Sequence, residues 1–228
     1  MLPHASKEDI DALAALGNPG WDFKTLEPDY HRYETYNPPN QDQEKYSQSD
    51  LIDRDLHGSS GPIQITPPWA TIDLDHAFVP TLQTLGLDAQ KDPRSGATLG
   101  SYPVLKFIDK DGKRSTAASA YYVPNASRSN LTVITNAHVT KLRLEKEANG
   151  EVIAQGTFFE VDALQFSLAA TKEVLPCAGT FQTPQLLELS GIGSKGVLDS
   201  YGIPVIIEIP NVGENLQVPI MLKSTHQH

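Results

Sequence analysis

The stretch Gly179–Gly193, GTFQTPQLLELSGIG, decides how this chain reads. Immediately before it, Glu173 to Ala178 is expected to run as a strand straight into Gly179. Thr183-Pro184 then supplies an N-cap followed by proline at the first helical position, so a helix is expected over Gln185 to Leu189, ended by Gly191. A strand that leads through a small-residue turn into a capped helix lets backbone approach a ligand, as in dinucleotide-binding folds. The same glycine also serves plain packing in many α/β crossovers. A second short helix, Ser194 to Tyr201, stops at Gly202, and Pro204 to Ile207 forms a last strand. The fold class is α/β.

Working towards the N-terminus, Lys141 to Glu147 alternates polar and apolar residues, Asn149-Gly150 is a hairpin turn, and Val152 to Val161 returns as a strand. The β-branched run Leu131 to Thr135 reads as a further strand. Asp111-Gly112 is a second hairpin signal after Leu105-Lys106-Phe107. Leu74, Phe78, Leu82 and Leu85 recur at helical spacing, with Pro80 expected to kink that helix or delay its start. Ile63 and Ile65 alternate around Gln64 as a short strand. The segment from Asp22 to Ser60 loses periodicity, and Pro38-Pro39-Asn40 with the polar run Gln41 to Asp50 reads as a long surface loop. A first helix, Ser6 to Leu16, has Ser6 as its N-cap and Gly17 just past its end.

Composition narrows the function classes. Among 228 residues, 39% are hydrophobic and 20% charged, the balance of a chain that buries a core. Eighteen Lys and Arg against 28 Asp and Glu give a net charge of −10, which repels phosphate backbones and anionic membrane surfaces. Nucleic acid and membrane partners are therefore not expected. The single Cys177 excludes an internal disulfide framework and a cysteine-rich zinc site. No window approaches the ~20 apolar residues of a membrane span, and MLPHASKEDID holds no apolar leader core. The chain shows no internal repeat.

Taken whole, Gly179–Gly193 resembles the second signature of the glucose-methanol-choline (GMC) oxidoreductases, flavoenzymes that oxidise alcohols. Gly179, Thr180, Thr183, Pro184, Leu186, Leu187, Ser190, Gly191, Ile192 and Gly193 fit that pattern without a gap. Leu16 to Trp21 (LGNPGW), Tyr121-Tyr122 through SNLTVITNAHV, and Ile203 to Gln217 (IPVIIEIPNVGENLQ) are similar to family segments in the same order. The resemblance runs from about Lys7 to Gln217. It implies a partial FAD-binding domain plus part of an antiparallel-sheet substrate domain. Residues 1–60 would form the helix and long loop of the FAD and lid region, 61–120 part of the substrate domain, 121–217 part of the FAD-binding domain, and 218–228 an off-pattern tail.

The resemblance also implies chemistry: FAD as cofactor, a small-molecule alcohol as substrate, and hydride transfer from its CH–OH group to the flavin. Val139 would hold the adenine of FAD through its backbone, while Cys177, Ala178 and Gly179 would pass close to the cofactor. No residue present matches the family's catalytic histidine, and no GxGxxG stands between a strand and a helix. The chain is thus expected to be an internal piece of such an enzyme. Two other products remain open: a non-catalytic truncated form or pseudoenzyme, and an interaction module that kept the scaffold without flavin. His138 is expected to be exposed or structural, His226 and His228 to lie in a frayed tail, and Cys177 to behave as a small hydrophobe on a buried strand. Arg114 in GKRSTAASAYY is expected to fix a loop. Asn125-Ala-Ser127 and Asn130-Leu-Thr132 are sequons that would matter in a secreted protein.

Overall fold

A computed structural model describes residues 5–45, 47, 49–68, 73–88 and 92–217. The chain divides into two compact units, Met1–Leu131 and Thr132–His228.

In the first unit, α1 (Lys7–Ala15) starts as its sequence predicts, with Ser6 Oγ accepting the amide of Asp9 at 3.0 Å. The expected loop from Asp22 onward is not one. It opens with α2 (Phe23–Tyr33), where the Asp22 carboxylate accepts from the Thr25 amide at 3.0 Å and the Thr25 hydroxyl at 2.7 Å. Phe23 is the only fully buried residue of α2; Leu26, Tyr30 and Tyr33 continue its apolar stripe at partial burial, among many polar residues and with Pro28 inside the helix. The chain continues into β1 (Glu34–Tyr36), which pairs in parallel with β2 (Ile63–Ile65), Glu34 opposite Ile63 and Tyr36 opposite Ile65. The polar run that follows opens with α3 (Gln41–Glu44), closed by a reciprocal cap between Asn40 and Gln43.

Ile52, Ile63, Ile65 and Leu105 form the core of this unit, with Tyr33, Tyr36 and Phe107 packed against it. Helix α4 (Asp73–Thr84) runs through Pro80 without a delayed start. Its apolar stripe does not form core: Val79 is buried, whereas Leu74, Phe78 and Leu85 are exposed, Phe78 by 58%. The Asp111-Gly112 turn is present, with the Asp109 amide donating to the Lys113 carbonyl at 2.8 Å. It joins only isolated bridges, Thr66 to Lys106 and Ile108 to Arg114, rather than continuous strands.

The second unit is built on an antiparallel meander, β3 (His138–Lys146), β4 (Val152–Val161) and β5 (Leu164–Ala169). The Asn149-Gly150 hairpin closes as expected, with the Glu147 amide on the Glu151 carbonyl at 2.8 Å. β5 has no counterpart in the sequence reading. It is reached through Asp162-Ala163, both at positive φ (51° and 63°), a two-residue hairpin geometry that Asp-Ala does not advertise. Phe159 and Phe166 stack across this pair, centroids 5.6 Å apart.

Two expected strands are absent. Leu131–Thr135 and Glu173–Ala178 carry no ladder pairing among the described residues. β-propensity describes how a side chain suits a pleated surface, and here no neighbouring strand offers its backbone. Helix α5 (Gly179–Leu189) starts at Gly179 rather than Gln185. Thr183 does not cap its own helix; its hydroxyl accepts the amide of Ala178 at 3.1 Å, one turn upstream, and Pro184 sits inside the helix. After α5, β6 (Ile192–Gly193), α6 (Lys195–Ser200) and β7 (Ile207–Glu208) form a miniature parallel unit closed over the fully buried Leu198. His226, His228 and the 218–228 tail lie outside the described residues.

Candidate functional site: an uncharged groove and a buried ionic cluster

The second unit holds a groove of about 370 Å³ between the start of β3 and α5. Ala137, His138 and Val139 line one side; Ala178, Gln182, Gln185, Leu186 and Leu189 line the other. Asn136 at φ 56° turns the chain into β3, and α5 packs on that strand through Ser190, whose hydroxyl accepts the Leu142 amide at 2.8 Å. Val139 and Ala178, far apart in sequence, thus share one surface.

Cys177 and Gly179 flank Ala178 in sequence but do not line the groove. Cys177 is exposed on an irregular segment, not buried on a strand. Gly179 sits at φ 86° with no atom within 4 Å of where a Cβ would be, so its backbone faces open space. His138 is exposed, as expected.

The lining is apolar and amide, with His138 its sole ionisable side chain. Such a surface suits a planar uncharged ring: Leu186 and Val139 offer apolar contact, and Gln182 and Gln185 carry both donors and acceptors. It supplies no fixed cation for a pyrophosphate. Small-molecule sites run about 300–1,000 Å³, so 370 Å³ accommodates a portion of a dinucleotide rather than all of it. Of FAD, the residues present suit an uncharged ring and not the pyrophosphate. A second groove, about 440 Å³, lies on another side of α5 against Gly213–Gln217 and carries Glu188 and Glu214, which oppose phosphate.

The first unit contains an arrangement that nothing in the sequence reading singled out. His57 lies between two carboxylates, Nδ1 at 2.8 Å from Glu34 Oε1 and Nε2 at 2.9 Å from Asp92 Oδ2. The guanidinium of Arg94 donates to Glu34 Oε2 and, at 3.3 Å, faces the Tyr33 hydroxyl. Arg94 also lies over the Tyr30 ring, 4.8 Å from its centroid, and Tyr36 stacks on His57 at 5.3 Å. All four ionisable side chains are buried. Burial opposes charge on His57, but its hydrogen bonds to Asp92 and Glu34 and their negative charges outweigh that and raise its pKa above the ordinary 6.5. Burial likewise pushes Glu34 and Asp92 up, and the His57 hydrogen bonds, the Arg94 guanidinium beside Glu34 and the amide of Arg94 on Asp92 bring both below the usual carboxylate values. The signal that could have pointed here is Gly58 and Gly61. Their backbones cross the α2–β1 junction so closely that a Cβ would stand 2.3 Å from Glu34 O and 2.2 Å from Glu34 N respectively.

Among the described residues no group of three or more His, Cys, Asp or Glu is placed to hold a metal ion, and no helix is long and apolar enough to cross a membrane.

Comparison with known proteins places this geometry. The family model described as GMC oxidoreductase matches residues 4–220. Dehydrogenase mpl7 of Monascus purpureus is 36% identical over 216 residues, covering 93% of this chain and 34% of that protein. An FAD-dependent oxidoreductase from Chaetomium thermophilum superposes with a TM-score of 0.83 at 30% identity, over 94% of this chain and 36% of its own. Pyridoxine 4-oxidase from Mesorbium loti gives 0.75 at 28% identity, over 92% and 38%. The chain belongs to the GMC oxidoreductase family, and its mixed helix and strand fold is part of that family's FAD-binding architecture. It spans about a third of the length of the curated relatives it matches.

Proposed function

We propose that this chain is part of an FAD-dependent oxidoreductase acting on the CH–OH group of a small-molecule alcohol, and that its own share of the work is to hold the adenine end of FAD in the β3–α5 groove. The observation that carries this reading is the convergence of Val139 and Ala178 on one uncharged groove. When bound, FAD supplies the hydride acceptor. In this chain Val139 and Leu186 would keep water off the adenine ring, and Gln182 and Gln185 would orient it. Ala178 and the open Gly179 backbone leave room for the cofactor to pass.

No base for the substrate hydroxyl is assigned within the chain. His57 has both ring nitrogens engaged by carboxylates, and His138 sits in the adenine-side groove. The test is a flavin titration of the 228-residue protein followed by absorbance and fluorescence. Saturable one-to-one binding, weakened by added AMP, supports the reading. Folded protein that leaves the flavin spectrum unchanged, and whose unfolding temperature AMP does not shift, refutes it.

A further inference from the structure

We infer that His57 is held as an imidazolium at neutral pH and acts as a pH-sensitive lock, fastening the turn at 92–96 to the start of β1 in the first unit. Neutral imidazole carries a single N–H, so one of its two carboxylate contacts at 2.8 and 2.9 Å would set a ring lone pair against a carboxylate oxygen. Only the imidazolium donates to both.

A protonated Asp92 does not rescue the neutral ring, because both its oxygens already face backbone donors; Glu34 Oε1 faces the ring alone, and there the Arg94 guanidinium on the other oxygen keeps the carboxyl ionised. Asp92 Oδ1 accepts the Arg94 amide at 2.9 Å, and Oδ2 accepts the Asp53 amide at 3.1 Å as well as the ring. Glu34 Oε2 accepts from Arg94. Two buried carboxylates therefore meet two buried cations, and the cluster is neutral. The other groups that face it are Tyr36 stacked on the ring, Tyr33 at the guanidinium and Tyr30 beneath it. Arg54, Asp92 and Glu44 act electrostatically on Tyr36.

The lock joins three segments of the first unit; backbone bonds from Tyr36 to Gly58 and from Gly61 to Glu34 also hold 58–61 on β1, whereas the described backbone bonds to the turn at 92–96 come from Lys7 and Asp53 rather than from β1. Glu34 stands at the start of β1, His57 after the 3-10 turn Arg54–Leu56, and Asp92 and Arg94 around the 3-10 turn Pro93–Ser95. Losing the proton leaves a buried net negative charge and one broken donor contact, so the hold of β1 on the turn at 92–96 weakens to the Arg94–Glu34 pair. The folded-state pKa of His57 is raised, so its stabilisation is complete below the unfolded value of about 6.5 and is lost as pH rises through the folded value. The inference is independent of whether the chain binds FAD.

Ring-nitrogen NMR of the uniformly 15N-labelled full chain, from about pH 7 to pH 10, tests it. One histidine should show two slowly exchanging ring N–H protons and imidazolium 15N shifts that persist above the ordinary histidine value of about 6.5. His57→Gln should remove that pair of signals. Asp92→Asn, which keeps the ring and removes one negative partner, should lower the pH at which the pair is lost by about one unit, a tenfold change in proton affinity. Thermal unfolding should fall more steeply on the alkaline side in the parent than in His57→Gln. Absence of such a pair, a histidine in the neutral form at neutral pH in its place, or a pair indifferent to both substitutions overturns the inference.

Discussion

The hydroxyl of Ser190 accepts the backbone amide of Leu142 at 2.8 Å while donating to the Leu186 carbonyl at 2.6 Å, so one buried oxygen ties the end of α5 to the middle of β3. This bond fixes the two walls of the groove against each other. Ser190→Ala removes the acceptor and leaves a buried N–H without a partner, which costs about 1–3 kcal/mol. The expected outcome is that loss in urea unfolding of the second unit. A variant as stable as the parent would show that α5 is held on β3 by packing alone.

Gly61→Ala and Gly179→Ala should differ sharply. At Gly61 a Cβ would stand 2.2 Å from the Glu34 amide nitrogen and 2.3 Å from the Tyr33 carbonyl carbon, backbone atoms that cannot swing aside. At Gly179 the Cβ meets nothing within 4 Å, and only its φ of 86° is unfavourable, a cost of about 1–2 kcal/mol. Gly61→Ala is expected to disrupt the first unit, and Gly179→Ala to leave a folded protein with a modestly lower melting point. Circular dichroism melts of the two variants separate these outcomes.

Ala178→Trp should fill the β3–α5 groove without touching the core, since Ala178 is exposed. On the proposed function it weakens FAD binding at least about tenfold, equivalent to about 1.4 kcal/mol, at unchanged thermal stability. Equal affinity in parent and variant would move the cofactor away from this groove.

Acid should loosen the first unit through Glu34 and Asp92. Both carboxyls have folded-state pKa values below their ordinary ones. Their stabilisation is thus present above the unfolded values of about 4 and lost as pH falls through the folded ones. Asp92→Asn should flatten the acid limb of a plot of unfolding temperature against pH. A parent protein whose stability is constant down to about pH 3 would contradict this.

Cys177 is exposed. A disulfide reagent should therefore label one thiol equivalent in the native protein, at a rate close to that in denaturant. Protection of the thiol until unfolding would restore the expectation of a buried strand.

Local signals were legible and long-range ones were not. Ser6, Asn149-Gly150 and Gly202 each mark an element end by chemistry within four residues, and α1, the β3–β4 hairpin and α6 follow. α2 escaped because Pro28 and its many polar residues mask the stripe Phe23, Leu26, Tyr30 and Tyr33, and β5 because Asp162-Ala163 takes left-handed φ without glycine. Leu131–Thr135 and Glu173–Ala178 have strand composition and no ladder partner, a fact that lies in other segments.

From the sequence alone, the contiguous run Gly179–Gly193 and three shorter segments in order determined the family and, with it, the FAD and alcohol chemistry to be tested. Such a motif survives in one dimension because each residue answers to its immediate neighbours. Tertiary structure alone decided that Val139 meets Ala178 across a groove without charges, while Cys177 and Gly179 stay off its walls. It also brought the His57 ring onto two carboxylates that stand 23 and 35 residues away in sequence. Charge state and site geometry depend on which distant groups are buried together, and burial is a property of the packed chain.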